Sequence, residues 1–384
     1  MSNLRFEPTA PWFQPGDSFA YAHPSVSSSG YERTIERDRS DQRAAAALAR
    51  RFDGCERLLV VGIGGSAMGL RALADGLACA DQRRRLLILD HLDVSRLEEA
   101  IEGVDAAKIG LIAISRSGGT IEVLAWLREV LGRIDPGVAA AVTARPDAAL
   151  GRLAAERGWP TLPIPADVGG RFSVLTPCGL LPAAALGIDV EALLAGARDA
   201  ELQAAEALAD ALMHQLEAGR SRWVQLFYGE GLIGLSGWWL QLVSESLGKA
   251  GLPLFIAAGS GPRDQHSVLQ LLMEGADQQA LIFCRGEGPE RKPADGPDLA
   301  GLGDRGLAAL EQVLWRANAE ALAARGRPVL CCDFPLNPEG FGAFMQTWMR
   351  ATAMLGERLG IDPFDQPGVE DGKILAKSQL GLMP

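Results

Sequence analysis

The sequence predicts an α/β protein with mainly parallel sheets in three layers. Apolar, strand-like runs alternate with amphipathic helical segments at intervals of about 20–30 residues, the rhythm of parallel strands joined by helical crossovers. That order places helices over both faces of each sheet. The rhythm also occurs twice, on either side of a long helical stretch at 190–218, which predicts two related α/β units.

An irregular N-terminal arm is expected over 1–40. The first unit, 41–195, has expected strands at 57–62, 86–90, 109–114, 139–143 and 161–164. Helical patterns such as 94–101 and 121–131 lie between them. The second unit, 196–360, has expected strands at 222–228, 252–258, 280–284 and 328–332, and residues 361–384 form a turn and a short terminal helix. The segment 286–304 is rich in Gly, Pro and charge and reads as a surface loop.

Composition narrows the function. The chain has 384 residues, is 48% hydrophobic and carries a formal net charge of −11. That acidity disfavours nucleic acid or an anionic membrane as the principal partner, while local arginines and backbone amides still permit a small anionic ligand. The six cysteines show no CxxC spacing, as expected of reduced thiols in a cytoplasmic protein rather than a disulfide framework or a zinc site. No apolar run reaches the length of a membrane span, and the first residues lack the apolar core of a signal peptide.

Six segments carry chemistry. In LLVVGIGGSAMG, 58–69, an apolar strand runs into a glycine turn, and Gly65 and Ser66 stand where a helix is expected to open. The pattern also fits a dinucleotide fingerprint, with Asp90 closing the next strand, so sugar-phosphate and dinucleotide readings both stand at this point. In SRSGGT, 115–120, Ser115, Ser117 and Thr120 supply hydroxyls, Arg116 a fixed charge, and two glycines a close backbone approach. This set suits a phosphate better than an ordinary helix cap does. Gly169 and Gly170 hold Arg171 in a turn before a helix expected near Pro177, a setting for an anion contact.

Glu245 extends the Trp238–Leu242 apolar stripe of a helix at about 232–248, where a carboxylate emerges at a cleft or is partly desolvated, the setting of a general base. The competing reading is a surface pair with Lys249 at i, i+4. His266 is expected in the first turn of a following helix, with Asp264 near enough to orient its ring. Gln366 lies in a turn before the terminal helix bearing Lys373.

Together these segments resemble the glucose-6-phosphate isomerase family of paired sugar-isomerase domains. GIGGS, SRSGGT, GGRFSVLTPCGLLPAAALGID, ESLGK, DQHSVLQLL and FDQPGVEDGK follow one another in family order between about 55 and 380. The resemblance implies two three-layer αβα, Rossmann-like or flavodoxin-like domains that interconvert D-glucose 6-phosphate and D-fructose 6-phosphate through a cis-enediol, in glycolysis and gluconeogenesis. It implies Glu245 as the base, His266 assisting ring opening from a neighbouring subunit of a homodimer, and Lys373 and Gln366 in the terminal segment. Arg171 is implied beside the developing enediolate, with Gly170 in its turn, and Ser115, Arg116, Ser117 and Thr120 around the phosphate. Gly65 and Ser66 are implied along the sugar. It calls for no cofactor and no metal. The chain departs from the family in carrying Arg116 where many members have lysine, and in being short. Mannose 6-phosphate breadth and a non-catalytic sugar-phosphate sensor are the alternatives that this pattern allows.

Overall fold

The computed structural model of the chain describes residues 5–8, 30–36, 39–289, 291–298 and 301–382. Strand β1 (Arg5–Pro8) and helices α1 (Gly30–Glu36) and α2 (Arg39–Ala49) precede the first sheet. That sheet contains β2 (Arg57–Val61), β3 (Leu86–Leu89), β4 (Ile109–Ile114), β5 (Val138–Thr143) and β6 (Thr161–Pro163). Helices α3 (Met68–Leu77), α4 (Ala80–Arg85), α5 (Ser95–Ile101), α6 (Ile121–Arg133) and α7 (Ala149–Glu156) make the crossovers. Helices α8 (Pro177–Ala185), α9 (Val190–Asp199) and α10 (Leu202–Glu217) lead to the second sheet. There β7 (Arg222–Tyr228), β8 (Phe255–Ser260), β9 (Gln279–Glu287) and β10 (Val329–Pro335) alternate with α11 (Ile233–Leu247), α12 (Gly261–Glu274) and α13 (Leu307–Ala324). Helices α14 (Pro338–Arg358) and α15 (Glu370–Gln379) close the chain.

The strand orders are β3-β2-β4-β5-β6 and β8-β7-β9-β10-β1. All pairings are parallel except β1 against β10. The continuous apolar strands follow from burial on both faces. In β2, Leu58 and Val60 face one core while Leu59 and Val61 face another, and all four are fully buried. The first of these cores is shared. It joins Leu58, Ile112 and Val142 of the first sheet to Trp223, Phe227 and Ile282 of the second, through α3, α8, α9, α11 and α14. The outer face of the second sheet has its own core, built from Leu226, Tyr228 and Phe283 against α12 and α13.

Three expectations change. The arm is not irregular throughout: β1 pairs with β10 and α1 is helical, while residues 1–4 and 9–29 lie outside the described residues. Helix α1 is fixed by a buried ion pair. Arg350 donates from Nε and Nη2 to the two oxygens of Glu32 (2.7 and 2.9 Å), and Gln346 Nε2 adds a bond of 2.8 Å. Partners more than 300 positions apart leave no local signal. The 190–218 stretch is two helices, broken where the Ala200 carbonyl accepts from Arg350 Nη1 (2.6 Å). Strand β8 begins at Phe255 rather than 252, and β9 and β10 continue to Glu287 and Pro335. The remaining described residues of the 286–304 segment are predominantly exposed, as a surface loop should be.

Candidate active site

In the first sheet β2 lies between β3 and β4, so the turns leaving β2 and β4 open side by side at the carboxyl edge. Such a switch point is where open parallel sheets bind ligands. After β2, Gly64 takes φ +56° and residues Gly64–Ser66 form a 3-10 turn. The α-helix begins only at Met68, so Ser66 closes this turn rather than opening α3. Gly65 packs directly on Gly170, where a Cβ would stand 2.2 Å from the Gly170 carbonyl carbon. Any side chain at 65 would separate the two turns.

After β4, the SRSGGT residues make a preformed chain of hydroxyls centred on Thr120. Thr120 Oγ1 lies 2.9 Å from the buried Ser115 Oγ and 3.3 Å from Ser117 Oγ, which accepts from the Gly119 amide (3.3 Å). Gly118 takes φ +64°, in the left-handed region that suits glycine. Thr120 caps α6 by position but makes no side-chain cap bond, leaving the helix N-terminus and its partial positive charge directed at the turn. Arg116 Nη2 donates to the Ala166 carbonyl (2.6 Å), fixing the guanidinium beside the loop.

Arg171 organises the opposite wall. It is 2% exposed and all five of its N–H donors are engaged. Nε donates to Ser246 Oγ (2.8 Å), Nη1 to Glu245 Oε2 (3.3 Å) and Gln366 Oε1 (2.9 Å), and Nη2 to the carbonyls of Pro363 (2.5 Å) and Asp365 (2.8 Å). Burial pulls its pKa below the usual arginine value and the Glu245 carboxylate opposes that pull. Gln241, one turn before Glu245 on α11, donates from Nε2 to Glu245 Oε1 (3.0 Å). The same amide stands 3.1 Å from where a Gly64 Cβ would be, linking the carboxylate to the glycine turn. The sequence reading missed Gln241, although its i−4 spacing from Glu245 was a usable signal.

Glu245, Arg171, Gln366, Gly170 and Gly65 are therefore brought together, with the hydroxyl loop of Ser115, Arg116, Ser117 and Thr120 on the adjacent strand end. His266 and Lys373 are not joined to them within the chain. His266 is exposed in the second turn of α12, not the first. Asp264 does not orient it, since its carboxylate bonds Arg263 and the Ser260 amide. Helix α12 packs on the outer face of the second sheet, whereas α11 carries Glu245 on the face turned to the shared core. Lys373 is exposed and pairs with Glu370 (2.8 Å). The Glu245–Lys249 surface pair does not form. Helix α11 ends at Leu247, which removes i, i+4 geometry, and Lys249 turns instead to Asp365 (2.6 Å).

Asp90, the acid of the dinucleotide reading, accepts at Oδ2 from Arg71 Nη2 (2.7 Å). Among the described residues, no group of three His, Cys, Asp or Glu side chains converges, and no helix is long and apolar enough to cross a membrane.

No family model matches the chain. It is 35% identical over 380 residues to a glucose-6-phosphate isomerase of Rubrobacter xylanophilus, covering 90% of this chain and 88% of that one. Among solved structures, a hypothetical protein of Thermus thermophilus superposes with a TM-score of 0.80 at 33% identity, covering 91% and 90% of the two chains. A glucose-6-phosphate isomerase from Chlamydia trachomatis shares the fold, with a TM-score of 0.69 at 21% identity over 92% of this chain and 78% of that one. With its six segments in order and a similarity of that extent, the chain belongs to the glucose-6-phosphate isomerase family.

Proposed function

We propose that the crevice between the β2 and β4 turns and the Arg171–Glu245 wall interconverts D-glucose 6-phosphate and D-fructose 6-phosphate. The observation that carries this reading is the pairing of a positioned carboxylate with a preformed hydroxyl loop at one switch point. Glu245 is held by a donor on each oxygen, from Gln241 and Arg171. The phosphate binds the hydroxyls of Ser115, Ser117 and Thr120, the amides at the start of α6 and the charge of Arg116. Anchoring that end fixes C1 and C2 of the sugar near Glu245, which removes much of the orientational barrier.

Ring opening moves a proton from the anomeric hydroxyl O1 to the ring oxygen O5, with His266 and Lys373 as the acid–base groups. Glu245 then takes the proton from C2, forming the cis-enediol, and returns it to C1. The remaining proton passes from the C2 hydroxyl to O1, leaving the ketone at C2. Arg171 already spends each donor on the protein, so it acts on the enediolate through its charge, without a new hydrogen bond. Gly65 and Ser66 line the sugar, and Gln366 closes the site above Arg171.

His266 belongs in this reading to a neighbouring subunit, because α12 and α11 lie on opposite faces of their own sheet. The active unit is then a homodimer, resident in the cytoplasm. Sedimentation at the dimer mass and recovery in the soluble cytoplasmic fraction are the corresponding checks. Mixed Glu245→Gln and His266→Ala subunits should regain activity after exchange. Failure to do so, with exchange verified, would remove the shared site.

The primary test is fructose 6-phosphate turnover coupled to glucose-6-phosphate dehydrogenase, with and without EDTA, for wild type and Glu245→Gln. Turnover that resists EDTA and falls about 10²–10⁴-fold in the variant is expected of a lost general base. No wild-type turnover, despite a rise in Tm with fructose 6-phosphate, would instead favour a sugar-phosphate sensor.

A further inference from the structure

The lysine of ESLGK has no part in the chemistry above, yet it is the second most committed cation near the site. Lys249 lies two residues beyond α11, and its side chain is 13% exposed. Its three N–H donors meet three acceptors: the carbonyls of Asp362 (2.5 Å) and Asp365 (2.6 Å) and Asp365 Oδ1 (2.6 Å). Arg171 takes the Pro363 carbonyl and shares that of Asp365. The turn at 362–365 thus points its carbonyl oxygens inward onto two cations.

That anchor is consequential because the terminal segment leaves directly from it. Gln366 is the next residue, then comes a single 3-10 turn, then α15 with Lys373. Every residue from Pro367 to Leu382 is exposed, so the rest of the chain supplies little packing to orient this segment. Its direction is set where it leaves the anchored turn. The backbone beside Lys249 is strained in a matching way. Ala250 takes φ +52°, a left-handed conformation that a residue with a Cβ rarely adopts, before Gly251 at +70°. That bend carries the chain off α11 and leaves Lys249 facing the turn, and such strain persists where the surroundings over-determine it.

We propose that Lys249 is a positioning residue, acting through the 362–365 turn to place Gln366 and Lys373 over the site. This rests on the isomerase reading, because it concerns the segment that reading assigns to ring opening. Lys249 touches no substrate. It shares the Asp365 carbonyl with Arg171, so the two cations tie the acid–base segment to the wall that holds Glu245.

The test is a double-mutant cycle on kcat/KM with Lys249→Met, Lys373→Met and both. Lys249→Met alone should lose about 10²-fold, the scale of a displacement of ~1 Å in a catalytic group. The double variant should fall within threefold of Lys373→Met, because Lys249 acts through that residue. Multiplying losses, or a Lys249→Met enzyme within threefold of wild type, would overturn the proposal. Amide exchange supplies a readout that needs no activity. Peptides covering 361–369 should exchange faster in Lys249→Met while those of β2 and β4 stay unchanged, and exchange accelerated throughout would reveal a merely structural role. If wild type proves inactive, the isomerase reading fails on its own, and the exchange experiment still reports whether Lys249 anchors the turn.

Discussion

The two sheets repeat one topology and differ at the edge where ligands bind. Strands β3-β2-β4-β5 match β8-β7-β9-β10, each with a switch point beside its second strand. The first is fringed by glycines and hydroxyls, with Arg116 held beside the loop and Arg171 in the facing wall. The second carries acids. Glu230 follows β7, and Arg285 at the end of β9 is 7% exposed, paired with Glu287 (3.1 Å) and Asp333 (3.5 Å) and lying 5.4 Å from the centroid of the Trp315 ring. A phosphate dianion at that edge would meet carboxylates and an arginine already neutralised. The fold supplies the same strand order twice, and the side chains at the strand ends are what differ between the two edges.

The sharpest way to break this contrast is a pair of isosteric changes. Glu245→Gln should cost about 10²–10⁴-fold in kcat, while Glu287→Gln at the second edge should leave kcat/KM within about threefold. Equal losses would mean that both crevices act.

A smaller effect is expected in stability. Arg285→Met removes the cation shared by Glu287 and Asp333 and should destabilise by about 1–3 kcal/mol, below the usual cost of breaking a buried pair because Glu287 is half exposed. Its kcat/KM should not change. Denaturant midpoints and steady-state rates on the same samples test both halves of the statement, and lost substrate affinity would refute the second.

Thr120→Val should have a milder effect than loss of the base. It deletes the hydroxyl between Ser115 and Ser117 and should raise KM by about tenfold, the worth of ~1.4 kcal/mol of hydrogen bonding, with kcat within threefold. A fall in kcat at constant KM would place the phosphate elsewhere.

Much of this protein was legible in its residues because the signals were local. Strands expected at 57–62, 109–114 and 222–228 from short apolar runs form at 57–61, 109–114 and 222–228, and the helix carrying Glu245 follows from a stripe at helical spacing. The hydroxyl loop was readable because every member lies within six positions. Glu245 was recognisable as a candidate base, but its competing partner Lys249 was misassigned, since i, i+4 spacing says nothing about where a helix ends.

Long-range contacts needed the tertiary structure. The pairing of Glu32 with Arg350, the addition of β1 to the second sheet and the contact of Gly65 with Gly170 join positions about 100 to more than 300 apart. No periodicity encodes them. Arg171 shows the division most plainly. Its two preceding glycines marked it as a residue held for an anion, but only packing shows its five donors divided among α11 and the 363–366 turn. By itself the sequence determined which residue types and local elements are available for the chemistry. The tertiary structure decided which of them meet, because a buried polar group must find its partner wherever the fold brings one within hydrogen-bonding distance.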